Sequence, residues 1–491
     1  MRSFTLYKNT AFLRQREAMM KKTFFSGLGL VSLAAVGNAQ AFSKNDLLTD
    51  LNYLNEVVAT CHTSNVNPAF ENRIPGLIDR VAAADKATFS YVEFDQEIRT
   101  ALALTGCYHT VIDPAKLPVI AMENPNFPYK VWTDGEVVYA MAKIMDSPDI
   151  PDLRFPARIN AVNGLPVADF LAGLLVFQSA DGPQKTKGIR LFNKYGSLLL
   201  GQYFEKDNLF TIETENGTVT AGHMPRVQDY GFQRTLPRIK PVPVVDRGKL
   251  QLFEVEGMPD ALYLRITSFQ YPGGEGAHSR IIKEVLERHA GHLIIDIREN
   301  GGGKGRNAVD LLQYFIREEF SSTDVVPNFK RGKYLGFSMA RLGLGFWEAV
   351  HLFKGRKTEN GRSYRHRCKP HAKGYTGRLY VLVNGQTGST STILAAYLKY
   401  KTDAVLIGEE TGGGETGANA GSFARIKLPV SGIGIRFPLV RIGHDLDIPP
   451  NHHGVVPAIG VRYSPEDILA GKDLELEKAL ELIGEGERVR G

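Results

Sequence analysis

Hydroxyl side chains at the junction of a strand, a tight turn and a helix are the residues of this sequence best placed for chemistry. Leu379–Val383 is a short apolar, β-branched run, which predicts a buried parallel strand. The turn Asn384–Gly388 follows it, and Ile393–Tyr400 has helical composition and spacing. A helix N-terminus stabilises nearby negative charge through its free N–H groups and its dipole. Ser389 is therefore a candidate nucleophile, and the alternative is that it only caps the helix.

A second turn of the same kind lies earlier in the chain. His292–Ile297 predicts a buried strand, and the glycine-rich turn Arg298–Gly305 follows it directly. If the two strands are neighbours in a parallel sheet, both turns lie at the same C-terminal edge of that sheet. The backbone N–H groups of Gly301 and Gly302 would then face a carbonyl carbon attacked by Ser389, as in an oxyanion hole. The alternative is that these glycines only make a tight turn.

Neither glycine cluster fits a nucleotide-binding loop. Gly301–Gly305 follows a strand but lacks the Lys-Ser or Lys-Thr pair that holds phosphate and magnesium. The glycines at 412, 414 and 417 match G-x-G-x-x-G, but a predicted strand follows them where a dinucleotide site needs a helix. The cysteines and histidines have no metal-ligand spacing. The sequence therefore predicts neither an organic cofactor nor a metal.

The N-terminal leader, residues 1–41, carries most of the net charge of +6 in this chain of 491 residues. Six lysines or arginines and one glutamate fall in it, so the rest is close to neutral and gives no reason to invoke nucleic acid. Lys21–Lys22, the apolar run Phe24–Val36 and the small residues Ala39–Ala41 fit the three parts of a secretory signal peptide. We expect cleavage after Ala41 and a soluble periplasmic or secreted protein without an integral membrane segment.

Three cysteines, Cys61, Cys107 and Cys368, bear on the redox environment of the chain. Export permits a disulfide, and Cys61 and Cys107 both lie near the ends of predicted helices. Three separate thiols are an equally good interpretation.

Changes of pattern divide the mature chain into three parts. Residues 42–117 have the leucine and valine spacing of amphipathic helices. Residues 118–236 hold short β-like runs, and within them Ala157–Leu174 predicts a strand, an Asn-Gly turn and a helix. In residues 237–491 strands and helices alternate, which is typical of an α/β domain. The basic run Lys354–Lys373 within it is either a solvated surface loop or a site that attracts acidic peptides.

Three blocks of the α/β part resemble the signatures of the tail-specific, or C-terminal processing, serine peptidases. They are DIRENGGG at Asp296–Gly303, NGQTGSTS at Asn384–Ser391 and IGEETGGG at Ile407–Gly414. Ala157–Leu174 is similar to the PDZ-like module of that family, and Gly106–Thr110 is similar to the block that ends its N-terminal helical region. The family includes the tricorn protease core and interphotoreceptor retinoid-binding protein.

This resemblance implies both a fold and an activity. The fold is α/β, with an N-terminal helical region (42–117), a PDZ-like β-rich module (118–236) and a ClpP/crotonase-like catalytic domain (237–491), behind a signal peptide (1–41). The activity is that of a serine-type endopeptidase that acts on peptide or protein substrates without a cofactor. The resemblance leaves the oligomeric state open.

A departure from the family pattern decides which residue we expect as the base. One branch of the family carries a catalytic lysine in the third block, but Gly414 stands at that position and the block holds no lysine. The tricorn-like branch instead uses a histidine, a neighbouring hydroxyl and a late acidic residue. The resemblance then implies His109 as the base, with Tyr108 in the place of the hydroxyl. Asp445 and Asp447 are the late acids available, and Asp447 is our candidate.

The expected reaction is acyl transfer through a serine. His109 takes the proton of Ser389, which attacks a peptide carbonyl, and water later hydrolyses the acyl-enzyme. The N–H of Thr390, together with that of Gly301 or Gly302, stabilises the oxyanion. A second hypothesis is a catalytically inactive protein that binds apolar ligands or peptides on the same scaffold, because a fold does not determine a function.

Overall fold

A computed structural model of the chain describes residues 41–67, 70–113, 126–176, 178–204, 209–222, 224, 232, 234–272, 274–327, 355–358, 361–449 and 451–490. Apart from Ala41, the predicted signal peptide lies outside the described residues. Residues 354, 359 and 360 of the basic run also lie outside them.

The first part of the described chain is mainly helical, as its leucine and valine spacing predicts. Ser43 and Ser90 each precede a helix and accept a hydrogen bond from the third helical N–H, in a capping box with Asp46 and Glu93. The helices are α1 (Lys44–Cys61), α2 (Ile74–Ala83) and α3 (Tyr91–Ala103), with a 3-10 turn at Thr63–Val66. Two short antiparallel strands, β1 (Ala41–Ser43) and β2 (Thr88–Ser90), join the starts of α1 and α3.

The second part is a β-rich module with its own core. Its sheet is antiparallel in the order β4-β5-β6-β8-β9, with β7 paired to β6. Asn163 and Gly164 both have positive φ and make the tight turn after β6 that the Asn-Gly pair predicts. The elements are β4 (Tyr129–Thr133), β5 (Val138–Lys143), β6 (Ala157–Val162), β7 (Leu165–Pro166), α4 (Val167–Val176), α5 (Thr186–Phe204), β8 (Leu209–Thr214) and β9 (Gly217–Gly222).

The α/β part is built on a sheet of seven described strands in the order β10-β11-β12-β13-β17-β18-β21. From β12 to β21 the neighbouring strands are parallel, and β10 and β11 run antiparallel at one edge. The strands are β10 (Val245–Asp246), β11 (Leu250–Val255), β12 (Met258–Ile266), β13 (His292–Asp296), β17 (Arg378–Val383), β18 (Val405–Gly408) and β21 (Ile459–Gly460). The helices are α6 (Gly274–Glu287), α7 (Gly305–Leu312), α8 (Thr390–Lys401), α9 (Pro465–Leu469) and α10 (Leu474–Arg490).

Helices cover both faces of this sheet, which explains why its central strands β13, β17 and β18 are largely apolar. Leu293 and Ile295 of β13 pack in the core that includes α6, α7 and α8. Ile294, between them, packs on the opposite face against residues of α10. Because successive side chains of a strand point to opposite faces, the residues of β13 contribute to two hydrophobic cores, one on each face of the sheet.

A second antiparallel sheet lies beside the first, in the order β15-β16-β14-β20-β19, with β3 paired to β20. The neighbouring strands β19 and β20 form a hairpin around Ser431, and α1 to α3 pack on its apolar residues. The prediction that the basic run is a loop is wrong, because described parts of this run form the strands β15 and β16 at the sheet edge. Charged side chains on an edge strand oppose pairing with another chain. The strands are β3 (Val111–Ile112), β14 (Phe320–Pro327), β15 (Arg356–Thr358), β16 (Gly361–Cys368), β19 (Ala418–Lys427) and β20 (Gly434–His444).

Two further observations concern the environment of the chain. Cys61, Cys107 and Cys368 are all buried, free thiols, so the structure has three separate cysteines and no Cys61–Cys107 disulfide. Within the part of the chain that the structure describes, no helix has the length and apolar character needed to cross a membrane.

Candidate active site

The two turns singled out in the sequence lie side by side. β13 and β17 are parallel neighbours, so the segments that follow them leave the same edge of the sheet, as predicted. Gly388 donates its N–H to the Asn300 carbonyl at 3.1 Å. The Thr387 hydroxyl donates to the Ile297 carbonyl, also at 3.1 Å. Backbone hydrogen bonds therefore join the glycine-rich turn to the turn that carries Ser389.

The Asn384 side chain strengthens this junction. Its Oδ1 accepts the N–H of Glu299 at 3.1 Å and that of Gln386 at 3.0 Å. Its Nδ2 donates to the Glu299 carboxylate at 2.8 Å. Asn384 is fully buried, so losing these bonds would leave polar groups unsatisfied in the interior.

A buried ion cluster lies at the base of the glycine-rich turn. Arg298 donates to Asp296 at 2.7 Å and to Asp473 at 2.6 Å, and it lies 3.1 Å from Glu475. Asp473 directly precedes the C-terminal helix α10, and Glu475 lies in its first turn. The C-terminal helix therefore holds the end of β13, from which the glycine-rich turn leaves the sheet.

Ser389 does not have the backbone geometry of a helix-capping serine. Its φ is +53° and its ψ is −124°, a region that a non-glycine residue enters only when its surroundings enforce it. A capping serine has extended backbone and accepts an N–H of the first helical turn, but the Ser389 side chain makes no such bond. Its side chain is left for other chemistry, with 8% of the residue's surface exposed.

The neighbouring hydroxyls are engaged or enclosed. Thr390 Oγ1 donates to the Gly303 carbonyl at 2.9 Å, and Thr392 Oγ1 donates to the Thr387 carbonyl at 3.1 Å. Ser391 is fully buried, and its Oγ has no partner among the residues described. Of the hydroxyls in this stretch, Ser389 is the one that combines access with freedom from a structural bond.

The candidate oxyanion donors differ in their engagement. The N–H of Gly302 donates to Asn300 Oδ1 at 2.9 Å, so this donor is already satisfied. The N–H groups of Gly301 and Thr390 have no hydrogen-bond acceptor among the described residues. An oxyanion formed at Ser389 would therefore use Gly301 and Thr390, with Asn300 holding the turn in place.

Gly302 is where the two turns come closest. Its φ is +104°, and a Cβ built on it would lie 2.8 Å from Ser389 Cβ and 3.0 Å from the Thr390 nitrogen. Any larger residue would push the glycine-rich turn away from the serine. Glycine is required here both by its backbone conformation and by the close approach.

The segment with the predicted base reaches this site through Tyr108. A Cβ on Gly388 would lie 2.8 Å from the Tyr108 hydroxyl oxygen, and one on Gly301 would lie 3.3 Å from it. The Tyr108 ring thus covers Gly388, directly before the serine, and its hydroxyl lies near Gly301. His109 follows directly, with its ring 5.3 Å from the Tyr108 ring and 5.8 Å from the Phe423 ring.

His109 is neutral in this setting. Burial, followed by the positive charges of Arg436 and Lys187, lowers its pKa to about 3. The backbone of Asn419 hydrogen-bonds the ring, whereas its buried Nδ1 has no partner among the described residues. The structure therefore brings Tyr108 against the serine turn and places His109 one residue behind it, with no described hydrogen bond to Ser389.

The late acids lie elsewhere. Asp447 is exposed, and its carboxylate has no hydrogen bond or ion pair within the described part of the chain. Asp445 hydrogen-bonds Ser321 at 2.9 Å and Tyr397 at 3.3 Å, and it lies 3.3 Å from Arg365. Neither contact set includes His109, so the role of Asp447 stays a prediction.

Sequence reasoning missed three residues that contact the base segment. Asp181 accepts the N–H of Tyr108 at 2.7 Å, and Lys187 Nζ lies 3.7 Å from the centroid of the Tyr108 ring. His62 Nε2 is 2.6 Å from the Thr110 hydroxyl. The sequence contained a signal for one of these three residues. Lys187 lies in the first turn of α5, where the helix dipole disfavours a cation, so a lysine at this position calls for an explanation. Asp181 and His62 carry no comparable local signal.

Comparisons with known families and solved structures show which proteins this chain is similar to. The model of Peptidase family S41 matches residues 260–457. The structure of mature CPAF complexed with lactacystin is 15% identical, with a TM-score of 0.60, covering 90% of this chain and 98% of that chain. A crystal structure of mature CPAF is 15% identical, with a TM-score of 0.59, covering 90% and 97%. A comparison with curated protein sequences gives no match.

These findings show the fold of the chain and a family match over its α/β part. The likeness to CPAF shows a shared fold, in which a helical region and a β-rich module accompany an α/β domain, as predicted. Residues 260–457 match peptidase family S41, and this match supports a peptidase of the serine type.

Proposed function

We propose that this chain is a tail-specific, tricorn-like endopeptidase that forms an acyl-enzyme on Ser389 with His109 as the general base. The observation that carries the proposal is the geometry of Ser389. It lies at a helix N-terminus with a strained backbone and makes no capping bond, and the N–H groups of Gly301 and Thr390 have no acceptor among the described residues.

The reaction needs His109 to accept a proton and return it. A pKa lowered to about 3 keeps the ring neutral and able to accept throughout the physiological range. The ring must turn from the Asn419 backbone towards Ser389 Oγ, and catalytic hydrogen bonds are often long or misaligned until substrate binds. His109 then protonates the leaving amine, and water hydrolyses the ester on Ser389.

No acidic side chain among the described residues hydrogen-bonds His109, and burial with two nearby cations makes the ring a weaker base than a solvated histidine. Arg436 and Lys187 act on the ring as cations, and both disfavour its protonated form. The Asn419 backbone is the group that favours protonation and orients the ring. Asp447 remains a proposal from the family resemblance, and its exposed position gives it no support.

We infer from the leader that the peptidase is exported, and from the family that its substrates are peptides or proteins. Residues 1–41 have the basic, apolar and small-residue parts of a signal peptide. The β-rich module contains the strand, Asn-Gly turn and helix that resemble a PDZ-like module. Mass spectrometry of the protein purified from expressing cells should find Phe42 as its first residue, and a retained leader would contradict export.

A fluorophosphonate probe tests the activity directly, because it labels only an activated serine. The wild-type protein should be labelled at Ser389 and should hydrolyse unstructured peptides, and Ser389→Ala should do neither. A folded wild-type protein that binds peptides but is not labelled would support the alternative, an inactive binding protein on this scaffold.

A further inference from the structure

The link between α4 and α5 of the β-rich module reaches across to the active-site edge of the α/β domain. Gln184 Nε2 donates to the Gly412 carbonyl at 3.1 Å. At the start of α5, the Thr186 hydroxyl donates to the Glu410 carbonyl at 2.9 Å. The link belongs to the β-rich module. It is nevertheless hydrogen-bonded to Ile407–Gly414, the third of the sequence blocks that resemble the family.

Asp181, within this link, holds two separate segments with one carboxylate. Its Oδ1 accepts the N–H of Tyr108 at 2.7 Å, and its Oδ2 accepts the N–H of Gly414 at 3.0 Å. Its own N–H donates to the Gly412 carbonyl at 3.1 Å. Asp181 is 5% exposed, and a buried charge of this kind persists only where hydrogen bonds compensate its lost hydration.

The two segments held by Asp181 both approach the serine turn. The Tyr108 ring covers Gly388. A Cβ on Gly413 would lie 2.8 Å from the Ser389 nitrogen. The N–H groups of Gly412 and Gly413 also donate to the Thr387 carbonyl, at 3.0 and 3.2 Å. A shift of either segment would therefore move the backbone that sets the Ser389 conformation.

Ser179 and Lys187 complete this arrangement. The Ser179 hydroxyl donates to the Thr110 carbonyl at 2.7 Å, on the far side of His109 from Tyr108. Lys187 Nζ donates to the Ser179 carbonyl and lies over the Tyr108 ring. We call Ser179, Asp181 and Lys187 the brace.

We propose that the brace is part of the catalytic machinery and that Asp181 is its main positioning residue, holding Tyr108–His109 and Gly412–Gly414 in register with Ser389. The inference rests on the proposed function, because it assigns the brace to the same serine and base. Asp181 does not touch the reacting atoms. It acts through the backbone of the residues that flank them.

Asparagine is the informative replacement, because it has the shape of aspartate but only one acceptor oxygen. In Asp181→Asn one of the two N–H groups would face an amide NH2, donor against donor. The packing of the fold is kept, but one of the two segments beside the serine turn loses its hydrogen bond to residue 181. Displacements of about 1 Å cost up to about 100-fold in rate where groups must be aligned.

The test measures rate per active serine. Fluorophosphonate titration counts the reactive sites, and the labelling rate constant, kcat and KM are then measured on the counted sites. We expect Asp181→Asn to keep most of its sites, to lose about 10- to 100-fold in labelling rate and kcat, and to change KM by less than about 3-fold. The matched control is Asp169→Asn, an exposed acid of the same module, which should equal the wild type.

A purely structural role for Asp181 gives a different result. Fewer sites would then be titrated, but each would react at the wild-type rate, and that outcome overturns the proposal. If Asp181→Asn does not fold, Ser179→Ala replaces it, because that change removes only the bond to the Thr110 carbonyl. We expect about 3- to 10-fold slower labelling per site from Ser179→Ala, and an unchanged rate would overturn the brace.

Hydrogen exchange separates failure of the brace from failure of the peptidase assignment. If the folded wild-type protein neither labels nor hydrolyses peptides, the proposed function fails, but the brace is still measurable. In Asp181→Asn we expect amide exchange to become at least about 10-fold faster in residues 106–110 and 410–416, and to stay unchanged in β13 and β17. If Asp181→Asn does not fold, Ser179→Ala should show the same acceleration in residues 106–110 only, again with β13 and β17 unchanged. Unchanged exchange in those segments would overturn the inference whatever the activity.

Discussion

The serine turn and the base segment, Gly106–Thr110, lie next to each other but are held in different ways. The serine turn is fixed by its neighbouring parallel strand, through Asn300 and Ile297 of the turn that follows β13. The base segment is fixed by side chains from distant parts of the chain. Asp181 lies 73 residues from Tyr108 in sequence, and His62 lies 48 residues from Thr110.

This difference separates local from tertiary determinants of a catalytic site. A strand, a glycine turn and a helix place a serine at a helix N-terminus wherever they occur, because the sheet edge and the helix dipole come with the elements. No element of that kind places His109. Its position depends on the Asp181 carboxylate and the Ser179 hydroxyl from the β-rich module, and on the His62 imidazole at the end of α1.

The largest expected effect is the loss of the nucleophile. Ser389→Ala should reduce kcat/KM by at least about 10³-fold and leave the circular dichroism spectrum unchanged, because the side chain makes no structural bond. Ser391→Ala is the matched control, since its hydroxyl is buried without a described partner inside the helix, and it should retain most of the activity. If Ser391→Ala is the dead variant, the assignment of the nucleophile is off by two residues.

Removal of the base comes next. His109→Ala should reduce kcat by about 10²- to 10⁴-fold, the range for a positioned general base, while peptide binding to the inactive protein persists. The variant should also label slowly with fluorophosphonate, because the serine is no longer deprotonated. Near-full activity would show that another group takes the proton and would remove the tricorn-like assignment.

The pH profile sharpens the same prediction. A solvated histidine would give a midpoint near its ordinary value of about 6.5. Burial and two cations lower the pKa of His109 to about 3, so the neutral form should persist and kcat/KM should stay flat from pH 8 to about 5. His62 also has a pKa lowered to about 3 by burial. Below about pH 6.5 the unfolded chain therefore binds protons more readily than the folded one, so the stability of the fold decreases as the pH is lowered. Folding must be checked at each pH of the profile.

How far the sequence predicted this site follows from the same division. The strand–turn–helix at Ser389, the glycine-rich turn and their shared sheet edge are confirmed, because each follows from short-range patterns and parallel pairing. The brace was missed, because Asp181 is one acid in a polar link and nothing local marks its two acceptor bonds. The basic run was expected to be a solvated loop or a site for acidic peptides, because runs of charge are usually solvated, yet pairing with β14 makes β16 a strand.

Gly302→Ala should produce an intermediate effect. The new Cβ would lie 2.8 Å from Ser389 Cβ, and alanine is strained at a φ of +104°. We expect a loss of about 10- to 100-fold in kcat/KM, because the oxyanion donors and the serine move apart. Gly305→Ala is the control, since a Cβ there meets nothing within 4 Å, and it should behave like the wild type. Equal effects of the two changes would mean that the glycine-rich turn does not support the reaction.

The smallest expected effect separates the Tyr108 ring from its hydroxyl. The family resemblance places a catalytic hydroxyl at this position, but the Tyr108 hydroxyl has no hydrogen-bond partner among the described residues. The ring, in contrast, packs over Gly388 and beneath Lys187. Tyr108→Phe should therefore change kcat/KM by less than about 3-fold, whereas Tyr108→Ala should lose about 10-fold or more, since it removes both the packing and the cation–π contact. If Tyr108→Phe is as impaired as Tyr108→Ala, the hydroxyl takes part in the reaction, and the base segment supplies two functional groups to Ser389 rather than one.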